Sequence, residues 1–293
     1  MKKTNIKHHP RRIFSALAVL GALFTMSGAN AETTAKGQAT QGATTPAVVR
    51  GIVMNWTVDG EKREALVFAA PTTAKVKRPL VFCFHGHGGN MKGTAQQMHI
   101  QTIWKEAIVV YPQGLKGRPT PGNPQGDKPG WQIVANQSDG NVQNKDLDFF
   151  DAMLSTMKQK YTVDDDRVYA TGFSNGAIFS FLLWAERSNI IAAIGECAGC
   201  IAEGETLTTA LAALAIAGTA DTTNPFLNQV QSIEKARVVD NATGNGQPCG
   251  QYCTLYPSTT QTPVKTFIHP GGHIYPTWAP AEIVKFFKTH KKI

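Results

Sequence analysis

Asp166-Arg167-Val168-Tyr169-Ala170-Thr171-Gly172-Phe173-Ser174-Asn175-Gly176-Ala177 is the stretch that decides how this chain folds. Arg167–Thr171 is a short, mostly apolar run, as expected of a strand buried on both faces. From Ala177 to Glu186 the chain is apolar nearly all round, which predicts a buried helix. Between them, Gly172-Phe173-Ser174-Asn175-Gly176 fits G-x-S-x-G. The pattern alone arises by chance in about one chain in ten of this length, so its strand–helix context carries the weight. A strand that turns at once into a helix leaves no room for side chains on either side of the turn. Glycines are needed there, and the serine hydroxyl is held above the sheet edge. The helix N-terminus behind it favours negative charge developing at that point.

The same continuous apolar runs recur at Pro79–Phe84, Ala107–Tyr111, Ala192–Gly195, Ala213–Ala217 and Val264–Ile268. Val48–Trp56 and Glu64–Phe68 read as an antiparallel opening pair. Helical stretches alternate with the runs. In Asp146–Lys158, the residues Leu147, Phe150, Leu154 and Met157 share one face, with Asp146 and Asp148 in the first turn, where acids suit the helix dipole. Ala281–His290 closes the chain after Pro280. Alternation of this kind predicts an α/β fold with a mostly parallel central sheet flanked by helices. Ligands of such sheets bind at the carboxyl ends of the strands. Gln113–Lys145 is long, aperiodic and rich in Gly, Pro, Asn and Asp, and a loop of this kind is functional or disordered. Its aromatic Trp131 is either a substrate wall or a pin that holds the loop to the body. Asp164-Asp165-Asp166, between a helix end and a strand, reads as a solvated turn rather than a cation site.

A serine hydroxyl needs a base, and on this architecture the order is Ser, acid, His. Asp221 follows the Ala213–Ala217 strand and His273 follows Val264–Ile268, so both stand at carboxyl strand ends with Ser174. His273 would take the serine proton, and Asp221 would orient the ring. Asp240, which follows a helical stretch, is the rival acid. His85-Gly86-His87-Gly88-Gly89 follows the Leu80–Phe84 strand as an oxyanion loop should, which assigns the donors to the backbone N–H groups of His87 and Asn175. Side-chain identity matters little in that assignment. His85 reads as a structural histidine. No ligand set accompanies His87, so no metal is expected.

The first 31 residues join a basic head, a short apolar core and Ala29-Asn30-Ala31, the pattern of a removed export signal; Arg11-Arg12 adds a weak twin-arginine character. The apolar run is short for a membrane span, which takes about 20 residues, so no integral membrane segment is expected after processing. Residues 32–46 read as a flexible leader and 47–293 as one catalytic domain. The 293 residues less these 31 leave 262, enough for one large core. The formal charge of +8 falls to +3 once the five basic residues of the leader are set aside, and no basic block argues for nucleic acid. An oxidising compartment, secreted or periplasmic, allows disulfides. Cys249 and Cys253 are the best pair. Cys197-Ala198-Gly199-Cys200 reads as a structural disulfide or packed thiols rather than a redox site, and Cys83 as a buried thiol.

These segments together resemble the exported esterase family that includes polyhydroxybutyrate depolymerases of the LpqC type and feruloyl and acetyl xylan esterases. The resemblance is carried by Pro79–Asn90, Ile108–Gly114, Asp166–Ala177, Gly218–Pro225 and Gly271–Pro276. It implies an α/β-hydrolase fold, no cofactor, and ester hydrolysis through an acyl-enzyme on Ser174, His273 and Asp221. Two departures lie beside the catalytic histidine, with Pro270 in place of a glycine and Tyr275 at a position that commonly holds Trp. Tyr275 and Trp131 are therefore the candidate substrate-binding residues, and the acyl group is the open question. A peptidase or amidase on the same triad and a binding protein on a hydrolase scaffold are the competing readings. A binding protein would predict a lost serine, histidine or oxyanion loop, and all three are retained.

Overall fold

Seven consecutive residues of the strand Arg78–Phe84 are buried, and their alternation builds the molecule. Leu80, Phe82 and Phe84 enter one apolar cluster, while Val81 and Cys83 enter another on the opposite face. This is the two-residue period of a strand covered on both sides. The computed structural model describes residues 50–71, 75–117, 123–139 and 142–293. The leader 1–31 and the segment 32–46 lie outside the described residues.

The described strands are β1 (Ile52–Val58), β2 (Glu61–Phe68), β3 (Arg78–Phe84), β4 (Ile108–Pro112), the two-residue pair β5 (Ser138–Asp139) and β6 (Val142–Gln143), β7 (Val163–Phe173), β8 (Ala193–Cys197), β9 (Ala212–Gly218), β10 (Gln247–Gly250), β11 (Cys253–Tyr256) and β12 (Val264–His269). The helices are α1 (Met91–Met98), α2 (Ile100–Ile103), α3 (Lys145–Lys160), α4 (Asn175–Arg187), α5 (Phe226–Val239) and α6 (Ala279–Thr289). Ten strands form one sheet in the order β1-β2-β4-β3-β7-β8-β9-β12-β11-β10. The six inner strands from β4 to β12 run parallel. Two antiparallel strands complete each edge. Helices α3, α4 and α5 cover one face, while α1, α2 and α6 cover the other.

The stretch from Asn224 to Ser258 shows no pattern in the sequence; it forms α5 and the β10–β11 hairpin, closed by the Cys249–Cys253 disulfide. The solvated-turn reading of Asp164–Asp166 requires correction. These residues belong to β7, where Asp164 pairs with Arg167 at 2.6 Å and Asp165 with Lys158 at 2.6 Å. Ion pairs to neighbouring cations let the acidic run take extended backbone.

The Gln113–Lys145 loop is tied down at its return. Gln132 accepts the N–H groups of Asp146 and Leu147, capping α3 from outside the helix. Asp146 accepts the Gln132 N–H at 2.7 Å and the Arg63 guanidinium at 2.7 Å. Asp146 is thus a buried anchor as well as a first-turn acid. Among the described residues, no helix is long and apolar enough to cross a membrane.

Candidate active site

β7 delivers Ser174 and α4 begins one residue later. Ser174 has φ 56° and ψ −121°, a left-handed backbone that costs a non-glycine residue about 1–3 kcal/mol. The surroundings enforce it by close approach. A Cβ on Gly172 would lie 2.2 Å from the backbone of Gly176, and one on Gly176 would lie 2.3 Å from the Phe84 carbonyl oxygen. The Ser174 N–H donates to the Cys197 carbonyl at 2.9 Å, fastening the turn to the end of β8.

The other two residues arrive from β9 and β12. His273 Nε2 lies 2.8 Å from Ser174 Oγ, and His273 Nδ1 lies 2.8 Å from Asp221 Oδ2. A carboxylate only accepts, so Nδ1 carries the hydrogen and Nε2 faces the serine as an acceptor. The Asp221 side chain has no solvent exposure. Its Oδ1 accepts the N–H groups of Thr223 at 2.9 Å and Asn224 at 3.0 Å, and its Oδ2 accepts Gln229 Nε2 at 2.9 Å. The two loops meet because Gly218 has no side chain: a Cβ there would lie 2.4 Å from the Gly271 carbonyl. Backbone bonds from Thr219 to His269 and from Ala220 to Gly271 complete the join. The imidazole packs against Phe173, ring centres 5.0 Å apart.

The third component is the loop after β3. His85 is buried; its Nδ1 donates to the Gly86 carbonyl at 2.8 Å and its Nε2 accepts the Gly114 N–H at 2.9 Å. Burial lowers its pKa to about 4, so a neutral ring holds this loop to the start of the Gln113–Lys145 segment. The Gly88 N–H donates to Pro129. His87 is exposed, and burial of part of its ring together with Lys128 lowers its pKa. A Cβ on Gly86 would touch the Cβ of Ser174 at 3.4 Å, so the loop borders the serine. Among the described residues, the backbone N–H groups of His87 and Asn175 have no protein acceptor.

Trp131 is 2 % exposed, donates from Nε1 to the His85 carbonyl at 2.9 Å and packs against Phe84 and Phe179. Of its two expected roles, this is the pin; burial leaves no ring face to serve as a substrate wall. Tyr275 is half-buried and meets Phe173 edge-on, but its hydroxyl end is buried without a hydrogen-bond partner, and burial raises its pKa well above the ordinary value. That end of the ring is not available to a ligand. Asp240 accepts the Leu211 N–H just before β9, at the opposite end of that strand from Asp221. Seven residues of strand, about 20 Å, keep it from the histidine. Cys197 and Cys200 are unpaired, and burial raises the pKa of both thiols, which disfavours redox chemistry there.

Two contributions were invisible in the sequence. The Asn175 side chain accepts the Trp131 N–H at 2.7 Å and donates to the Trp131 carbonyl at 3.1 Å, so side-chain identity matters after all in the residue next to the serine. Gln229, a fully buried residue of α5, reaches Asp221. Gln229 falls in no spacing motif, and Asn175 fills a position that G-x-S-x-G leaves free; an amide immediately after the serine was the one available clue.

A phospholipase/carboxylesterase family model matches residues 68–244, more than half of the chain. A probable feruloyl esterase C of Aspergillus oryzae is 25% identical over 89% of this chain and 90% of its own. The bifunctional acetylxylan esterase/xylanase XynS20E of Neocallimastix patriciarum is 28% identical over 48% of this chain, a match that spans only 18% of that protein. Among solved structures, the acetyl xylan esterase from Aspergillus awamori superposes with a TM-score of 0.61 at 15% identity, covering 81% of this chain and 99% of that one. With a parallel sheet whose strand ends bring Ser174, His273 and Asp221 into one hydrogen-bonded line, the chain belongs to the phospholipase/carboxylesterase family of α/β-hydrolases.

Proposed function

We propose that the chain is an exported serine esterase that cleaves ester substituents from a polysaccharide or its oligomers, feruloyl or acetyl groups foremost, and uses Ser174, His273 and Asp221 as its catalytic triad. The observation that carries the reading is the pair of 2.8 Å contacts that line up Ser174 Oγ, the His273 ring and Asp221 Oδ2. Export rests on the leader pattern of residues 1–31. The substituent rests on the relatives named as feruloyl and acetylxylan esterases. A hydroxyalkanoate ester is the other acyl branch, from the family resemblance alone.

His273 Nε2 takes the Ser174 proton as Oγ attacks the acyl carbon. The oxygen that gains charge sits by the N–H groups of His87 and Asn175, at the N-terminus of α4, where the helix dipole stabilises it. Collapse of the intermediate passes the proton from His273 to the leaving alcohol and leaves an acyl-serine. Water then attacks through the same base, releasing the acid and restoring Ser174. Asp221 holds the ring and stabilises its charged form throughout. No step needs a metal or cofactor.

The test is hydrolysis of p-nitrophenyl acetate and butyrate, methyl ferulate, an acetylated xylo-oligomer and 3-hydroxybutyrate oligomers by the mature protein, with Ser174→Ala as control. Turnover lost in the variant is the expected result, and the preferred ester names the branch. Ester turnover that survives Ser174→Ala sinks the triad; folded protein inert on every ester would sink the esterase reading.

A further inference from the structure

The Asp221 carboxylate is held from four directions, and one of its partners is costly to the fold. Gln229 lies in the first turns of α5 and is 1 % exposed. Its Nε2 donates to Asp221 Oδ2 at 2.9 Å and to the Asn224 carbonyl at 2.6 Å. Its Oε1 is buried with no hydrogen-bond partner. The amide orientation follows from the neighbours, since the flipped form would set an oxygen against two acceptors. A buried acceptor left unpaired destabilises a protein, whereas leucine or methionine would fill a similar volume without one. Packing therefore does not account for an amide at this position. What glutamine supplies and those residues do not is an N–H aimed at the same carboxylate oxygen that faces His273.

We propose that Gln229 is a positioning residue for the acid–base pair, holding Asp221 Oδ2 in line with His273 Nδ1. The proposal rests on the triad reading above. The terminal torsion of an aspartate is soft and roughly two-fold. Thr223 and Asn224 restrain Asp221 only through Oδ1. On the other oxygen the donors are His273 Nδ1 and Gln229 Nε2. His273 is the group that must move charge, so Gln229 is the fixed restraint, anchored on a helix rather than on the loop. Its second N–H ties down the Asn224 carbonyl, and Asn224 in turn donates from Nδ2 to the Ala198 carbonyl at 2.6 Å. The acid is thereby braced against α5 and against the turn after β8, one residue beyond the Cys197 carbonyl that fastens Ser174.

The test compares Gln229→Leu, Gln229→Met and Gln229→Glu with Asp221→Asn and Ser174→Ala. The readouts are kcat and KM on p-nitrophenyl acetate, the rate of inactivation by phenylmethanesulfonyl fluoride, and the thermal midpoint. For Gln229→Leu, kcat and the inactivation rate should both fall about tenfold, the loss expected of one charge-assisted hydrogen bond. KM should stay within about twofold, as for an interaction that matters mainly to the transition state, and the midpoint should be unchanged or higher. Gln229→Met repeats the test if the leucine variant does not fold. Gln229→Glu, nearly isosteric but unable when ionised to donate to Oδ2, should lose more turnover than either apolar variant. A purely structural glutamine predicts instead that the variants change the midpoint while their folded molecules turn over normally, with no extra loss of kcat for glutamate. Wild-type kcat in Gln229→Leu or Gln229→Met, alongside inactive Asp221→Asn, overturns the proposal and spares the triad. Wild-type kcat in Asp221→Asn or Ser174→Ala overturns both.

Discussion

The two sides of Ser174 are built by different physics. On the side of the loop after β3, position is set by steric exclusion: Gly172 and Gly176 let β3, β7 and α4 approach so closely that a single methyl group would collide with backbone. On the acid side, position is set by hydrogen bonds between side chains and loops, with the fully buried Asp221 carboxylate gathering four donors. A steric site loses its shape when anything is added. A hydrogen-bonded site keeps its shape and loses its charge alignment when a donor or acceptor is exchanged. Substitutions on the first side should therefore be read as stability, and on the second as rate.

Asp221→Asn is the largest expected effect and the cleanest break of the acid side. The isosteric change should lower kcat by about 10³–10⁴-fold, with a circular dichroism spectrum and thermal midpoint close to wild type. A variant that instead melts early would mean that the acid side is structural too. On the steric side, Gly172→Ala places a Cβ 2.2 Å from Gly176 and should cost about 3–5 kcal/mol of stability. Urea unfolding measures it directly, and a cost below about 1 kcal/mol would show that the turn can relax.

Between the two sides lies Glu196 on β8, buried, with its Oε2 accepting the Gly199 N–H at 3.0 Å. Burial raises its pKa to about 8. From the ordinary carboxyl range up to pH 8 the folded chain keeps a proton that the unfolded chain releases, so stability falls as pH rises across that window. Glu196→Gln has no proton to lose. Relative to wild type it should gain about 4 kcal/mol between pH 5 and pH 9, seen as diverging urea midpoints. Parallel midpoints would place the Glu196 charge elsewhere in the balance. The smallest effect belongs to Cys200→Ser, which touches neither the glycine contacts nor the acid's donors. Turnover should stay within about twofold of wild type and be indifferent to dithiothreitol; a tenfold loss would give the Cys197–Cys200 turn a role in the site.

Burial periodicity and chain order predict the inner parallel strands and the strand ends that carry Ser174, Asp221 and His273, and short spacing favours Cys249–Cys253 among the possible disulfide pairs without settling it. Runs buried on both faces announce parallel strands, and chain order places Ser174, Asp221 and His273 at their carboxyl ends, because those features are local periodicities and short spacings. The same locality explains the misreadings. Asp164–Asp166 has the composition of a turn, yet Lys158 and Arg167 neutralise two of its charges, and Arg167 apart, no spacing rule connects them. Trp131 had two equal prospects until the packing of Phe84 and Phe179 around it was seen. Gln229 lies 8 residues from Asp221 across a helix start, and Asn175 meets Trp131 across 44 residues. Contacts of that kind depend on how α5 and the Gln113–Lys145 loop settle on the sheet. The partner of a buried polar group is chosen by three-dimensional packing and leaves no period in the chain, so such contacts emerge only once the elements have packed.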